Sequence, residues 1–398
     1  MKDLPSAAQR FFEYVQIDTQ SRADSERSPS SAGQLQLAQT LAGQLRALGA
    51  AAVEVTAEGV VLATIPGVGR TVGFLAHLDT SPQAPGGPVK PLLHHYHGGV
   101  IALPYGQIDH PLLRQAMDCR IITSDGSTLL GADDKAGIAA IMTAAAQLLA
   151  EPAARHAQVR IAFTPDEELG RGTQSLDLES FGAQVAYTVD GGPLGQLEWE
   201  NFYARNLRIT IEGKSIHPGD AFGKLVNAVR LAGVFCSSLP AAALPETTCD
   251  RAGFIHVDGI RGDVEEAVLE VIVRDFTRQG LDSKCQAVQN LLAGIIAEPG
   301  SYRIEQTGGY LNMKEVISAQ PQVLALARQA MESVGVEPKE SPIRGGTDGA
   351  KLAEAGLACP NLFTGGVNFH SRTEWLVVEW LEKAAAVVAE LARLWGKQ

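Results

Sequence analysis

The chain has 398 residues, 45% of them hydrophobic and 20% charged, which excludes a disordered chain and implies two compact units. With 45 Asp and Glu against 33 Lys and Arg, the formal charge is -12; nucleic acid is not an expected partner, because phosphate binding needs clustered cations. Five cysteines (Cys119, Cys236, Cys249, Cys285 and Cys359) at long spacings, with no C-x-x-C pair, argue against a disulfide scaffold and fit a reducing cytoplasm.

Lys2, Asp3, Arg10, Glu13 and Asp18 interrupt any apolar run of signal-peptide length, and Pro5 to Ile17 has helical spacing through Phe11, Phe12 and Val15. Gly33 to Leu48 repeats that period with Leu37, Leu41, Leu45 and Leu48. Val60 to Ile65, then Pro66-Gly67, then Thr71 to Ala76 predict a hairpin feeding a buried strand. Gly86 to His110, rich in Gly, Pro and His, has no period and is expected to be a long surface loop. Strand Arg120 to Thr123, the Ala-rich helix Ala136 to Ala150, and strands Gln158 to Thr164 and Gln184 to Val189 alternate in an α/β manner. That helix is shorter than the ~20 residues that span a bilayer, so it is read as buried and no membrane partner is expected.

From Asn206 the pattern changes to strand Leu207 to Glu212, helix Gly223 to Phe235, strands Gly253 to Gly259 and Glu265 to Asp275, helix Leu281 to Ala297 and strand Ser301 to Gln306. This β-α-β-β-α-β order is the ferredoxin-like split unit. After Tyr310, helix Gln322 to Ser333, a short strand Leu362 to Thr364 and a helix from Val378 return to α/β character. The expected fold is thus an α/β domain, 1–205 and 313–398, with a mixed sheet covered by helices, interrupted by an inserted α+β domain, 206–312.

The residues that could do chemistry stand at strand ends and in loops. His77 and Asp79 lie two apart after strand Thr71 to Ala76, so they point to one side, and a carboxylate there can hold the second nitrogen of a metal-bound imidazole. Asp133 and Asp134, in Gly131 to Gly137, open the long helix; one aspartate suffices as a cap, leaving a second role for the other. Thr164-Pro165-Asp166-Glu167-Glu168 reads either as a capping box or as a ligand beside a general base. Asp190, before Gly191-Gly192, is a turn residue or a carboxylate at the sheet's edge, and His370 stands alone in a loop. Together His77, Asp133, Glu168, Asp190 and His370 have the chemistry of a catalytic metal pair.

The ordered motifs H-L-D-T-S-P, G-A-D-D-K-A-G, F-T-P-D-E-E-L-G-R-G, T-V-D-G-G, I-H-P-G, P-I-R-G-G-T-D-G-A and N-L-F-T-G-G-V-N-F-H resemble the peptidase T family across essentially the whole chain. That family is the tripeptide aminopeptidase branch of the di-zinc exopeptidases, with carboxypeptidase G and aminoacylases. The resemblance implies two zinc ions per subunit, one held by His77, Asp133 and Asp190, the other by Asp133, Glu168 and His370, with Asp133 as bridge. It also implies Asp79 as the partner of His77, Glu167 as general base, and a cis peptide between Asp133 and Asp134. Two dications against Asp133, Glu168 and Asp190 leave one positive charge, which favours ionisation of a shared water.

The inserted domain resembles the family's lid and dimerisation module, which implies a homodimer. His217 matches a lid histidine expected on the oxyanion, Arg274 and Arg344 match arginines expected on the substrate carboxylate, and Asn312 occupies a hinge position with a substrate role. Two features depart from the family: Asp220 to Lys224 places Phe222 where a cation is common, and His94-His95-Tyr96-His97 is unusual. The implied activity is a metal-dependent aminopeptidase acting on short peptides, tripeptides above all. A related di-zinc carboxypeptidase or N-acyl amino acid amidohydrolase, and a non-catalytic metal- or peptide-binding relative, are the competing readings.

Overall fold

The computed structural model describes residues 4–151, 155–296 and 300–398; Ala297, at the end of one predicted helix, and residues 1–3 lie outside them. Internal contacts divide the chain into Met1–Trp199 with Glu315–Ser341 and Thr347–Gln398, and a second unit, Glu200–Lys314 with Pro342–Gly346. The division falls at 199/200 and 314/315 rather than 205/206 and 312/313, and the short segment carrying Arg344 groups with the second unit.

The first unit is mixed α/β, built on an eight-stranded sheet. Its order is Ala51–Val55, Val61–Ile65, Gln158–Thr164, Thr71–His77, Val185–Gly191, Asn361–Phe363, Gln196–Glu198 and Lys339–Glu340. The four central strands, Gln158–Thr164 to Asn361–Phe363, run parallel, so their carboxyl ends share one edge of the sheet. Thr71–His77 is buried along nearly its whole length, as a strand covered on both faces requires. The helix Ala132–Ala150 packs there; its Ala-rich surface, buried almost all round, lets it lie close to the sheet. Gly137 marks the closest approach, since a Cβ there would overlap Val189 O.

Several sequence expectations are corrected. Val61–Ile65 and Thr71–His77 are not a hairpin, because Gln158–Thr164 lies between them, antiparallel to the first and parallel to the second. The hairpin is instead Ala51–Val55 with Val61–Ile65. The segment 86–110 is not one loop: Leu92–His95 joins a four-stranded sheet with Arg120–Thr123, Trp375–Val377 and Gly366–Val367, and Ile101–Leu103 pairs with Gly106–Ile108.

The second unit has four antiparallel strands in the order Phe254–Gly262, Glu266–Asp275, Tyr203–Glu212 and Ser301–Tyr310, with helices Ala228–Ser238 and Arg278–Ile295, the ferredoxin-like arrangement. Its core is formed by Ile209, Ile211, Phe235, Leu269, Val271 and Val288 among others. The first of those helices starts at Ala228, not Gly223, because Pro218–Asp220 forms a separate tight turn and the Asn227 side chain caps the helix at Arg230 N–H. No helix among the described residues is long and apolar enough to cross a membrane.

Candidate metal centre and active site

The carboxyl ends of the central strands bring the candidate residues together. His77 is the last residue of its strand and is 2% exposed. Its Nδ1 lies 3.1 Å from the backbone oxygen of Asp79 and 3.3 Å from Asp79 Oδ1, both acceptors, so the ring proton belongs on Nδ1. Nε2 faces Asp133 Oδ1 at 2.8 Å and Asp190 Oδ1 at 3.5 Å, contacts between a ring nitrogen and carboxylate oxygens that require a proton or a cation between them.

The two aspartates at the helix start divide the labour. Asp134 Oδ1 accepts the Gly137 N–H at 3.1 Å, which caps the helix, and Oδ2 accepts the His77 N–H at 3.2 Å. Asp133 departs from helical geometry, and its peptide bond to Asp134 is cis. Its carboxylate, freed from capping, splits between two imidazoles, with Oδ1 on His77 and Oδ2 3.1 Å from His370 Nε2.

The Thr164 to Glu168 segment forms no capping box. Thr164 Oγ1 donates to Asp348 Oδ2, and Asp166 takes a left-handed conformation (φ 60°) ahead of a short 3-10 turn, Glu167–Leu169. Buried Asp166 accepts the Ser30 N–H and the Gln34 side-chain amide, anchoring the turn from behind. From the front, Asp79 Oδ1 accepts the Glu167 N–H at 3.0 Å and Oδ2 the Glu168 N–H at 3.2 Å. Glu168 Oε1 is buried and faces His370 Nε2 at 2.9 Å, an ion-pair contact off the line of a good hydrogen bond. His370, itself at φ 58°, contacts Gln83 Oε1 through Nδ1 at 3.2 Å, which again directs its Nε2 to the carboxylates.

Charge explains what such an arrangement is for. Burial and the neighbouring Asp133 push Asp190 up to about 8, and burial raises Glu168. Burial alone would lower His77, but Asp190, Asp133 and Asp79 hold it well above an ordinary imidazole; contacts with Asp133 and Glu168 lift His370 to about 10. The cluster thus demands positive charge at the point where two Nε2 atoms and three carboxylates meet. Protons can supply it, but the Nδ1 partners of both histidines favour the tautomer that ligates through Nε2, and the Glu168 oxygen that meets His370 faces the same space. This donor set fits hard or borderline divalent metal ions. His77, Asp133 and Glu168 already bring ligand atoms within 4.8 Å of one another.

A model of the peptidase family M20/M25/M40 matches residues 130–394. The chain belongs to that family. It is 45% identical to peptidase T of Geobacillus thermodenitrificans over 98% of each chain. The fold matches aminopeptidase PepT of Bacillus cereus (TM-score 0.77, 22% identity, 99% of this chain and 98% of that one). It matches a tripeptidase of Staphylococcus aureus with the same TM-score, identity and coverage.

Within this M20-family site, two buried carboxylates have no role assigned from sequence. Glu374, 1% exposed, accepts the N–H groups of Leu130, Gly131 and Asp133. Asp348, the aspartate of the P-I-R-G-G-T-D-G-A motif, is buried; burial pushes it up to about 6, and its charge adds to the burial that raises Glu167 well above an ordinary carboxyl. Both lie far along the chain from their partners; Glu374 stands outside every motif that carried the family resemblance, and Asp348 stands inside one that gave it no role.

The candidate residues of the second unit are placed within that unit. His217 is exposed, and its Nδ1 accepts the Gly219 N–H at 3.1 Å. Arg274, 9% exposed, donates to Asn206 Oδ1 and lies over the Tyr310 ring. Asn312 accepts the Asn201 and Lys314 N–H groups and donates to Phe276 O. Arg344 donates to the carbonyls of Thr248, Asp250 and Ala252 and stacks on Phe202 and Phe254. Phe222 is fully exposed. In the first unit, His94 lies 2.9 Å from Thr123 Oγ1, and His94, His95 and His97 join no candidate metal group among the described residues.

Proposed function

We propose that this metallopeptidase is a di-zinc aminopeptidase that removes the N-terminal residue from short peptides, tripeptides above all. The observation that carries the reading is the splitting of Asp133 between two imidazoles, Oδ1 to His77 and Oδ2 to His370. In this reading His77, Asp133 and Asp190 would hold one ion and Asp133, Glu168 and His370 the other. When bound, the ions would polarise the scissile carbonyl and lower the pKa of water. The rest of the chemistry falls to the chain. Glu167, whose proton affinity is raised by burial and by Asp348, accepts the proton of the attacking water and returns it to the leaving amine. Asp79 acts through others, holding His77 and the main chain of both glutamates.

The aminopeptidase and tripeptidase activities named for the relatives support the substrate class. His217 remains assigned to the oxyanion, and Arg274, Asn312 and Arg344 to the substrate, on their motifs. The exposed apolar side chains Phe222, Leu225, Val229 and Val234 of the second unit support a homodimer formed through it. Five free cysteines support a reducing, cytoplasmic setting. Purified protein should cleave tripeptides faster than di- or tetrapeptides and should fail on N-blocked peptides. Equal rates across lengths remove the tripeptide assignment, and cleavage only of N-acylated amino acids favours the amidohydrolase reading. Undiminished turnover in Glu167→Ala removes the base assignment.

A further inference from the structure

Behind Asp133 the backbone makes a pocket of its own. Gly131 adopts the left-handed conformation (φ 80°), and the N–H groups of Leu130, Gly131 and Asp133 converge. Successive N–H groups around such a residue form a concavity that attracts an anion. Here the anion is a side chain. Glu374 Oε2 accepts from Leu130 at 2.8 Å and from Gly131 at 2.7 Å, and Oε1 accepts from Asp133 at 3.1 Å. The carboxylate is almost wholly buried, and the buried ammonium of Lys135, which donates to Ile17 O, lies near enough to feel its charge.

Glu374 also belongs to the loop that carries His370. Residues 368–374 connect strands Gly366–Val367 and Trp375–Val377, and the loop is closed by Asn368, whose amide donates to Thr373, and by Ser371, which donates to Asn368 O. One seven-residue loop therefore grips Asp133 at both ends: His370 meets its side chain and Glu374 its main chain.

We infer that Glu374 is a positioning residue for the bridging carboxylate, fixing the 130–133 turn so that Asp133 presents one oxygen to each imidazole. Only a carboxylate can accept three N–H donors there without offering a donor of its own. An amide keeps one oxygen and turns its NH2 towards an N–H, so the turn shifts. The effect reaches the metals through Asp133, because groups that orient ligands set metal affinity by about 10- to 100-fold. This inference rests on the reading of Asp133 as a shared ligand.

The test uses full-length wild type, Glu374→Gln and Glu374→Asp, each stripped of metal and titrated with Co2+ against a chromogenic chelator. Glu374→Asp retains the charge but is one methylene shorter, and provides the reading where the amide variant does not fold. Glu382→Gln, a carboxylate of the same unit that accepts the Ala7 and Ala8 N–H groups and touches none of the proposed ligands, serves as the control for loss of a side chain that holds main-chain N–H groups. We expect Co2+ affinity to fall about 10- to 100-fold in the Glu374 variants, with a changed visible spectrum at saturation and a lower kcat at little-changed KM. The control should keep the wild-type spectrum. A Glu374 variant that is merely less stable, with wild-type affinity and spectrum, overturns the inference while leaving the proposed function intact. A wild type that binds fewer than two ions per chain overturns the proposed function itself, and the inference with it.

Discussion

Asp79 is the residue whose removal should disturb most of the site at once. Its carboxylate is fully buried, and each oxygen accepts one N–H, from Glu167 and from Glu168, while Oδ1 also stands 3.3 Å from His77 Nδ1. Asp79→Asn preserves size but provides a single accepting oxygen. One of the two glutamate N–H groups must then face an NH2 donor, and a buried donor left unsatisfied costs about 1–3 kcal/mol. Expressed entirely in the transition state, that corresponds to roughly a 5- to 150-fold loss in kcat/KM. The metals should suffer separately, since His77 loses its anionic partner, and affinity should fall about 10- to 100-fold. The assay is steady-state cleavage of a tripeptide at saturating Zn2+, paired with chelator competition for metal affinity. Saturating metal should not restore the wild-type rate, because the Glu167 turn remains displaced. If rate and affinity both stay within about twofold of wild type, the positioning role of Asp79 is refuted.

Gly137→Ala places a Cβ against Val189 O and Asp134 Oδ1, so the variant should lose about 1–3 kcal/mol in urea unfolding, and an unchanged midpoint would show that the helix is not held so close. Glu198, held by Asn361 and Gln196, is pushed by burial from 4.5 to about 7. A carboxyl raised in the folded state costs stability as pH climbs through that window, by roughly 3 kcal/mol at most. The stability of Glu198→Gln relative to wild type should therefore rise from about pH 5 to about pH 8; a difference constant with pH contradicts this, whatever its size. Chelation should lower the unfolding midpoint and Zn2+ should restore it, by about 4 kcal/mol for free metal at a thousand times its dissociation constant; no shift would argue against a native-state metal site.

The parts of the site legible in the sequence are those where chemistry and local geometry coincide. His77 and Asp79 were readable because two residues along a strand return to the same side. The doubled aspartate was readable as a division of roles, and the structure assigns capping to Asp134. Glu374 was not readable, since its partners are more than 240 positions away and only tertiary folding makes the concavity it fills. The false hairpin has a similar cause: Pro66-Gly67 does end the strand Val61–Ile65, but the strand that enters between its flanks comes from residues 158–164. Strands as short as Ile101–Leu103 and Trp375–Val377 contain too few residues for an alternation to emerge from their surroundings. The Thr164 capping pattern misled because Thr164 found a better partner in Asp348, which freed the following glutamates for the site.

The central claim, that one carboxylate is shared by two metal ions, is tested most directly by the metal-to-chain ratio of wild type and Asp133→Ala after equilibrium dialysis against Zn2+. We expect two ions per wild-type chain, and the loss of both or the retention of one weakly held ion in the variant. Two tightly bound ions in Asp133→Ala, or a single ion in wild type, would contradict the account.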